Sequence, residues 1–236
     1  MPRVVILGAG TGVGKTRVSV ALLRALTDRG HATLGLKPVE SGVLGTANNP
    51  PGSDAASLAD AASHRTTLRS PLYALRDPVS PHLAARNQGL GIKLASIQNW
   101  VREAETAVTP LVSSDSAFWS VIETAGGVFS PLADRATNFE LGLALDPAIW
   151  ILVAADALGV LHDLSATLQA MRARSRGPDH VVLSAAREPD ASTGCNNAEL
   201  DTLGIASTSA VLARNDDRGI ASLVERLLNT PAFVER

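Results

Sequence analysis

Short apolar runs alternate along the chain with amphipathic segments of helical spacing. The first run, residues 4–7, is too short for a typical helix and leads into glycines, so it predicts a buried strand. In residues 16–29 the apolar side chains recur three or four positions apart, which predicts a helix that ends at Gly30. Residues 31–37 predict a second strand. A strand, a helix and a strand of this length form a βαβ unit with parallel strands.

The same alternation continues to the end of the chain. Proline, glycine and asparagine punctuate residues 43–52 and 71–81, which predicts irregular chain there. Further strands are predicted at 118–123, 149–154, 180–184 and 207–212, and helices at 54–62, 93–107, 138–145, 159–174, 197–203 and 220–228. The run at 149–154 is the most apolar, which favours a central strand.

No internal repeat or linker interrupts this pattern. We therefore expect one α/β domain over residues 1–236, doubly wound, with a mainly parallel sheet and helices on both faces. In such sheets, ligands bind beyond the carboxyl ends of the strands.

Composition and charge exclude several classes of protein. The chain has 236 residues, 45% of them hydrophobic and 19% charged, as in globular proteins with a substantial core. Its formal net charge of −2 gives no overall attraction to nucleic acid or to anionic membranes. The first residues show no signal-peptide pattern, and no apolar stretch reaches the roughly 18 residues of a membrane span. The single cysteine, Cys195, allows no intrachain disulfide and lacks an activating motif, and we expect a cytoplasmic protein.

The glycines after the first strand predict a phosphate-binding loop. Residues 8–16 are Gly-Ala-Gly-Thr-Gly-Val-Gly-Lys-Thr. At such a turn the loop N–H groups and the positive end of the helix dipole converge on one point and favour an anion. Lys15 adds a mobile charge for the outer phosphates, and the hydroxyl of Thr16 is a ligand for magnesium. The strict Walker A motif needs glycine at Ala9, so this loop is one residue longer, and the dinucleotide fingerprint is also absent.

Candidate polar side chains also follow other predicted strands. Lys37, Ser41 and Glu123 come at or just after strand ends, so we expect them near Lys15. Two ammonium groups at one site indicate an anion between them. Glu123 suits magnesium, which prefers carboxylate oxygens. Asp54 is ambiguous, since an aspartate in a first helical turn more often stabilises the helix N-terminus.

Other candidates are weaker when they are judged from their own residues. Residues 124–127 are small and allow a ligand to approach the backbone closely, but an ordinary turn would have the same composition. The free N–H groups of the helix start at Gly159 suit a second anion, and a plain helix start explains them equally well. His82 and His162 have no paired acid or nucleophile in view, so we interpret neither as a catalytic base.

Taken together, these segments resemble dethiobiotin synthetase. The resemblance extends from the first strand to about residue 162. It rests on the motifs Gly8-x-x-Thr11-x-Val13-Gly14-Lys15-Thr16, Lys37-Pro38-Val39-x-Ser41-Gly42, Ser53-Asp54, Ser80-Pro81-His82 and Glu123-x-Ala125-Gly126-Gly127. Gly-Lys-Thr is common among nucleotide-binding proteins, whereas the other motifs at these intervals are much more specific. The resemblance implies a homodimeric, P-loop NTPase-like ligase of biotin biosynthesis.

The family's chemistry assigns roles to the residues of these motifs. The resemblance implies that 7,8-diaminononanoate and CO2 form a carbamate, that the γ-phosphate of ATP is transferred to it, and that the second amine closes the ureido ring with release of phosphate. Lys15 would hold the β- and γ-phosphates, and Lys37 would stabilise charge on the carbamate and the transferred phosphoryl group. Thr11 and Ser41 would orient the diamine or the carbamate.

The resemblance also implies binding residues for the other groups. Magnesium would be held by Thr16, Asp54 and Glu123. The nucleotide would contact Gly12, Val13, Gly14, Lys15, Thr16, Arg17, Asp54, Glu123, Thr124, Ala125 and Gly126. The substrate would contact Ser41 and, across the dimer interface, the helix start of Gly159, Val160 and His162, which would receive its carboxylate.

Several positions depart from the family pattern. Gly10 and Gly12 stand where a polar residue and an acid are frequent, and Thr124 replaces a glycine. The adenine-reading Asn-Asp of a late strand is replaced by Ser-Ala-Ala-Arg at 184–187, and the stretch near 213–215 matches poorly. The triphosphate site is therefore kept while the base site is changed. We expect weak discrimination between ATP and other nucleoside triphosphates.

Two alternative functions stay open. A related amide-forming synthase of the cobyrinic acid a,c-diamide type carries an added glutaminase domain, for which this chain is too short. A partition or cell-division ATPase would act as a nucleotide switch, but those proteins have a second lysine where Gly10 stands. Phosphate release that depends on both the diamine and bicarbonate would distinguish a synthetase from a switch.

Overall fold

The computed structural model describes residues 1–43, 49–113, 116–146 and 148–229. Strands and helices alternate along most of the chain. The strands are β1 (Arg3–Gly8), β2 (Ala32–Leu36), β3 (Val39–Ser41), β4 (Tyr73–Leu75), β5 (Phe118–Glu123), β6 (Pro131–Ala133), β7 (Ala136–Thr137), β8 (Ile149–Asp156), β9 (His180–Ala185) and β10 (Ala210–Leu212). The helices are α1 (Lys15–Thr27), α2 (Asp54–Ala61), α3 (Pro81–Asn87), α4 (Leu94–Val108), α5 (Asn138–Ala144), α6 (Val160–Arg172), α7 (Asn196–Thr202) and α8 (Gly219–Leu228), with a 3₁₀ turn at Thr109–Leu111.

The main sheet has six strands in the order β10-β9-β8-β1-β5-β2, and every neighbouring pair is parallel. β8, predicted from its apolar run to be central, lies beside β1 in the middle of the sheet. β5 lies between β1 and β2, so the first two strands of the chain belong to one parallel sheet without touching.

Alternate residues of each strand contribute to two hydrophobic layers. In β1, Val5 and Leu7 pack with α4, α5 and α6, whereas Val4 and Ile6 pack with α1, α2 and α8. All four side chains are fully buried. A parallel sheet covered on both faces needs apolar residues at nearly every position, which explains the continuous apolar runs in the sequence. The predicted sheet with helices on both faces is thus confirmed.

Some elements were not predicted from the sequence. β3 and β4 form a small parallel pair outside the main sheet, β6 and β7 form an antiparallel pair, and α3 begins at a proline. The prediction of irregular chain over 71–81 is wrong at β4, because a three-residue strand is too short to show a periodicity. The predicted loop at 43–52 lies partly outside the described residues, which omit 44–48.

The carboxyl ends of β1, β2 and β5 meet at one edge of the sheet. Ile6 of β1 is in register with Glu123, and Leu36 of β2 with Ile122. α2 packs closely beside β2, because a Cβ added at Gly35 would lie only 2.7 Å from the carbonyl oxygen of Leu58. The sheet thereby brings the N-terminal turns of α1 and α2 to the edge where Glu123 ends β5.

Among the described residues, no helix combines the length and apolar character required to cross a bilayer.

Candidate active site

The loop between β1 and α1 ends in a glycine that the backbone requires. Gly14, the N-cap of α1, has φ of 92°, which L side chains rarely adopt. A Cβ at this position would also collide with the hydroxyl of Ser184 at the end of β9. Lys15 follows and is only 7% exposed, and its ammonium donates to the Gly10 carbonyl at 3.4 Å. The loop therefore holds a positive charge beside the positive end of the α1 dipole.

The centre of the site is a buried ammonium group between two carboxylates. Lys37 follows β2, and its Nζ donates to Glu123 Oε1 at 2.5 Å and to Asp54 Oδ2 at 2.9 Å. The side chains of Lys37 and Glu123 are 4% and 0% exposed, whereas that of Asp54 is 41% exposed. Glu123 is thus a fully buried acid whose charge is balanced by Lys37.

Helix α1 binds the same glutamate. The Thr16 hydroxyl donates to Glu123 Oε1 at 2.9 Å, and the Ser19 hydroxyl donates to Glu123 Oε2 at 2.7 Å. Ser19 was not predicted from the sequence as a residue of the site. Its position three residues after Thr16, on the same helix face, is a signal that could have found it.

The two lysines of the site have opposite pKa shifts. Burial acts to lower the pKa of Lys37, but the charges of Glu123 and Asp54 and its hydrogen bonds to them raise it above the usual lysine value. Burial, together with the charge of Lys37, lowers the pKa of Lys15 to about 8. For Asp54, burial acts to raise the pKa, but the Lys37 charge brings it below its ordinary value. Lys37 is therefore a permanent cation, whereas Lys15 titrates near neutral pH.

Asp54 lies in the first turn of α2, but its side chain does not cap the helix. The Ser53 hydroxyl accepts from the Ala56 N–H at 3.1 Å, and Glu40 accepts from the N–H groups of Asp54 at 2.7 Å and Ala55 at 3.1 Å. The Asp54 side chain is left to bind Lys37. Glu40, the unspecified residue of the Lys-Pro-Val-x-Ser-Gly motif, was not predicted from the sequence. Burial raises the pKa of Glu40.

These groups line a cleft of about 590 Å³. It brings together most of the predicted site residues: Thr11, Gly12, Gly14, Lys15, Thr16, Lys37, Ser41, Asp54, Glu123, Ala125 and Gly126. It also contains residues that were not assigned a role: Glu40, Pro78, Val79, Ser80, Pro81 and Ser130.

Three residues predicted to contact the nucleotide lie beside the cleft instead of lining it. Val13 packs at the edge of the hydrophobic layer that contains α1. Arg17 donates to the carbonyl of Leu212 at 3.2 Å and to the Asp217 carboxylate at 3.0 Å. Thr124 is buried, and its hydroxyl donates to the Ile6 carbonyl at 2.9 Å.

The predicted carboxylate-binding residues are separate from the cleft within one chain. Gly159 is the exposed N-cap of α6, Val160 is buried in the core, and His162 is exposed. Leu158, just before this turn, is 84% exposed, and its N–H donates to Asp190 Oδ2 at 2.8 Å.

The residues predicted to hold magnesium form a set of hard oxygen donors. Asp54 and Glu123 already share one cation, the Lys37 ammonium, and the Thr16 hydroxyl bonds to Glu123 and lowers the pKa of Asp54. Two carboxylates and a hydroxyl suit magnesium, which takes its other ligands from phosphate and water. In the described part of the chain, no group of three or more His, Cys, Asp or Glu side chains is arranged to hold a metal ion.

The end of β9, where the resemblance implies recognition of adenine, has no acidic or amide side chain at residues 184–187. The Ser184 hydroxyl is buried and has no partner among the described residues. Arg214 donates to the backbone carbonyls of Ala186 and Arg187. The departure noted in the sequence therefore leaves mainly backbone groups and arginine at this strand end.

Comparisons with known proteins match this chain along most of its length. Residues 2–220 match a family described as an AAA domain. The ATP-dependent dethiobiotin synthetase of a Caulobacter species is 36% identical over 187 residues, which cover 78% of this chain and 76% of that protein. The synthetase of the same name from Anaeromyxobacter dehalogenans is 32% identical over 216 residues, 90% of each chain.

Solved structures show the same fold at low sequence identity. A ParA family ATPase from Chlorobium tepidum superposes with a TM-score of 0.51 at 13% identity, covering 94% of this chain and 88% of that one. The MinC:MinD cell division complex of Aquifex aeolicus gives 0.50 at 12% identity, covering 100% and 99%. These likenesses confirm the predicted P-loop NTPase-like fold.

We predict that Lys37→Met lowers the free energy of unfolding by about 3–5 kcal/mol, because it leaves the Glu123 carboxylate buried without its cation. Urea denaturation would measure the change. The exposed Lys93, changed to Met, is the matched control and should stay within about 0.5 kcal/mol of the parent. In the double variant with Glu123→Gln, most of the loss should be recovered. Equal stability of Lys37→Met and the parent would contradict the central role of the pair.

We also predict that triphosphate binding weakens as the pH rises above about 8. The pKa of Lys15 in the free protein is about 8, and bound phosphate would raise it, so binding above that pH requires proton uptake. The dissociation constant of a non-hydrolysable ATP analogue should be flat below pH 8 and then rise about tenfold per pH unit. Lys15→Arg, which stays charged, should remove this dependence. An unchanged affinity of the parent between pH 7 and 9 would contradict the assignment.

Proposed function

Because the chain belongs to the family of ATP-dependent dethiobiotin synthetases, ligases of biotin biosynthesis, we propose that it forms dethiobiotin from 7,8-diaminononanoate, CO2 and ATP. The observation that carries this proposal is the convergence of Lys15, Thr16, Lys37, Asp54 and Glu123 on one cleft at the carboxyl edge of a parallel sheet. Reactions of this kind depend on positioning and charge stabilisation, and the cleft supplies both.

We assign the triphosphate to the β1–α1 loop. The buried Lys15 would bind the β- and γ-phosphates together with the N–H groups at the start of α1. Thr16, Asp54 and Glu123 would hold magnesium, which supplies Lewis-acid stabilisation of the charge on the phosphates.

Lys37 would act on the reacting groups. One amine of the diamine adds to CO2 to give a carbamate, whose oxygen attacks the γ-phosphorus and releases ADP. Lys37, a permanent cation, would stabilise the negative charge on the carbamate and on the phosphoryl group in transfer. The second amine then attacks the carbamoyl carbon, phosphate leaves, and the ureido ring is closed.

Thr11 and Ser41 would orient the diamine or the carbamate. Both line the cleft. The buried Ser41 hydroxyl oxygen has no hydrogen-bond partner among the described residues, which is unusual for a buried polar atom and supports a role toward a bound molecule.

We propose a homodimer in which the helix start of Gly159, Val160 and His162 of one subunit receives the substrate carboxylate in the site of the other. Leu158 beside this helix start is 84% exposed, so its side chain is accessible to a second subunit. None of these three residues lines the cleft of its own chain, which fits a contribution in trans.

A nucleotide switch is the second candidate, since the fold is shared with ParA and MinD proteins. At identities of 12–13%, these structures support a shared fold but not a shared function. Gly10 stands where those proteins have their second lysine, so the sequence favours the synthetase.

We predict that the protein with ATP, magnesium, bicarbonate and the diamine yields dethiobiotin, detected by mass spectrometry, and that phosphate release requires both the diamine and bicarbonate. Lys37→Ala should lose at least about 100-fold in rate, as when a charge-stabilising group is removed, while Lys93→Ala is the unchanged control. Absence of product with folded parent protein would refute the synthetase. Phosphate release without the diamine would favour the switch, and full activity of Lys37→Ala would refute only the role of that residue.

We further predict that ATP, GTP and CTP support the reaction with similar kcat/KM. The reason is the absence of acid and amide side chains at residues 184–187, where family members read adenine. Steady-state kinetics with each nucleotide would test this. A preference for ATP above about 100-fold, roughly 2.7 kcal/mol, would show that the base is read by other groups.

A further inference from the structure

Glu40 combines deep burial with a position next to the reacting groups. It is 8% exposed and belongs to β3, three residues after Lys37. Burial raises the pKa of Glu40, and the charge of the nearby Asp54 carboxylate acts in the same direction. Burying a second negative charge here is costly, so its contacts need a reason beyond filling space.

The contacts of Glu40 fix the first turn of α2. One carboxylate oxygen accepts from the Asp54 N–H at 2.7 Å and the other accepts from the Ala55 N–H at 3.1 Å. The Ser53 hydroxyl already satisfies the next N–H, that of Ala56. The carboxylate thus accepts hydrogen bonds from two consecutive N–H groups. Two bonds fix both the orientation of the first turn of α2 and its distance from β3.

β3, the strand that carries Glu40, is itself held in place by strand pairing. It pairs with β4 along its whole length, with Glu40 itself opposite Ala74. At its middle, α2 is held close to β2 by the contact of Leu58 with Gly35. Fixed at both points, α2 presents the Asp54 carboxylate to Lys37 Nζ at 2.9 Å.

We propose that Glu40 is a positioning residue that sets the place of the Asp54 carboxylate in the magnesium site. This inference rests on the proposed function, in which Asp54 holds the metal. Glu40 touches neither phosphate nor metal in this assignment and acts through the backbone of Asp54. Its loss should weaken metal binding while leaving the contacts of Lys15 with phosphate in place.

The test is a magnesium titration of the binding of a fluorescent, non-hydrolysable ATP analogue. Glu40→Ala should raise the magnesium concentration at half-saturation by at least about tenfold, as for partners that orient metal ligands. Affinity for the analogue without metal should stay within about twofold, since the phosphate loop is intact. Glu40→Gln keeps one acceptor oxygen and should show an intermediate shift.

Glu105→Gln is the matched control. Glu105 is another buried glutamate, 2% exposed, that binds Arg3 at 2.7 Å in a separate part of the molecule. This variant should lose stability without shifting the magnesium midpoint. In an Asp54→Ala background, Glu40→Gln should cause no further shift, because the two residues act through one carboxylate.

Two kinds of result would overturn the inference, and they distinguish a failure of the metal site from a failure of the positioning role. Magnesium-independent binding by the parent would refute the metal site, and with it the role of Glu40. A magnesium-dependent parent with unshifted Glu40 variants would refute the positioning role alone, as would an equal shift in Glu105→Gln. If Glu40→Ala does not fold, the shift of Glu40→Gln decides the question.

Discussion

The buried pair of Lys37 and Glu123 is the interaction on which the rest of the site depends. A fully buried carboxylate is tolerated only when its charge is balanced and its oxygens are bonded. Lys37 balances it, and hydroxyl groups of α1 donate to both of its oxygens. Because β2 and β5 are neighbours in register, the two residues leave the sheet side by side. The pairing of β2 with β5 thus brings Lys37 and Glu123 together. The two residues in turn bind side chains from the N-terminal ends of α1 and α2.

The environment of each lysine, rather than its residue type, decides its charge behaviour. Lys37 has two carboxylates within hydrogen-bonding distance, so the balance of burial and attraction favours its charged form. Lys15 has a carbonyl as its partner and Lys37 as a cationic neighbour, so burial disfavours its charged form. One ammonium is already neutralised within the protein, and the other is left for an anion. This division suits a cleft that must bind phosphates and also keep a fixed cation among acids.

The sequence was most informative where the physics is local or strongly periodic. The parallel sheet, its two covered faces, the phosphate loop and the Lys37 and Glu123 strand ends could all be predicted from apolar runs and the residues that follow them. Glu40, Ser19 and the β3–β4 pair could not, because each depends on which distant segment packs beside it. Asp54 shows the boundary between the two cases. Its place in a first helical turn indicated a cap, and only the competing caps from Ser53 and Glu40 explain why its side chain is free for Lys37.

The position of β5 between β1 and β2 has a consequence for biosynthesis. The ribosome makes β1, α1 and β2 first, and the strand that joins them arrives later. Lys37 precedes Glu123 by 86 residues, so the ribosome adds the lysine well before it adds the glutamate. In the folded sheet β5 lies between the two early strands, so their facing edges gain hydrogen-bond partners only once β5 has been made. The Lys37–Glu123 pair can therefore form only after β5 has been made and has taken its place between β1 and β2.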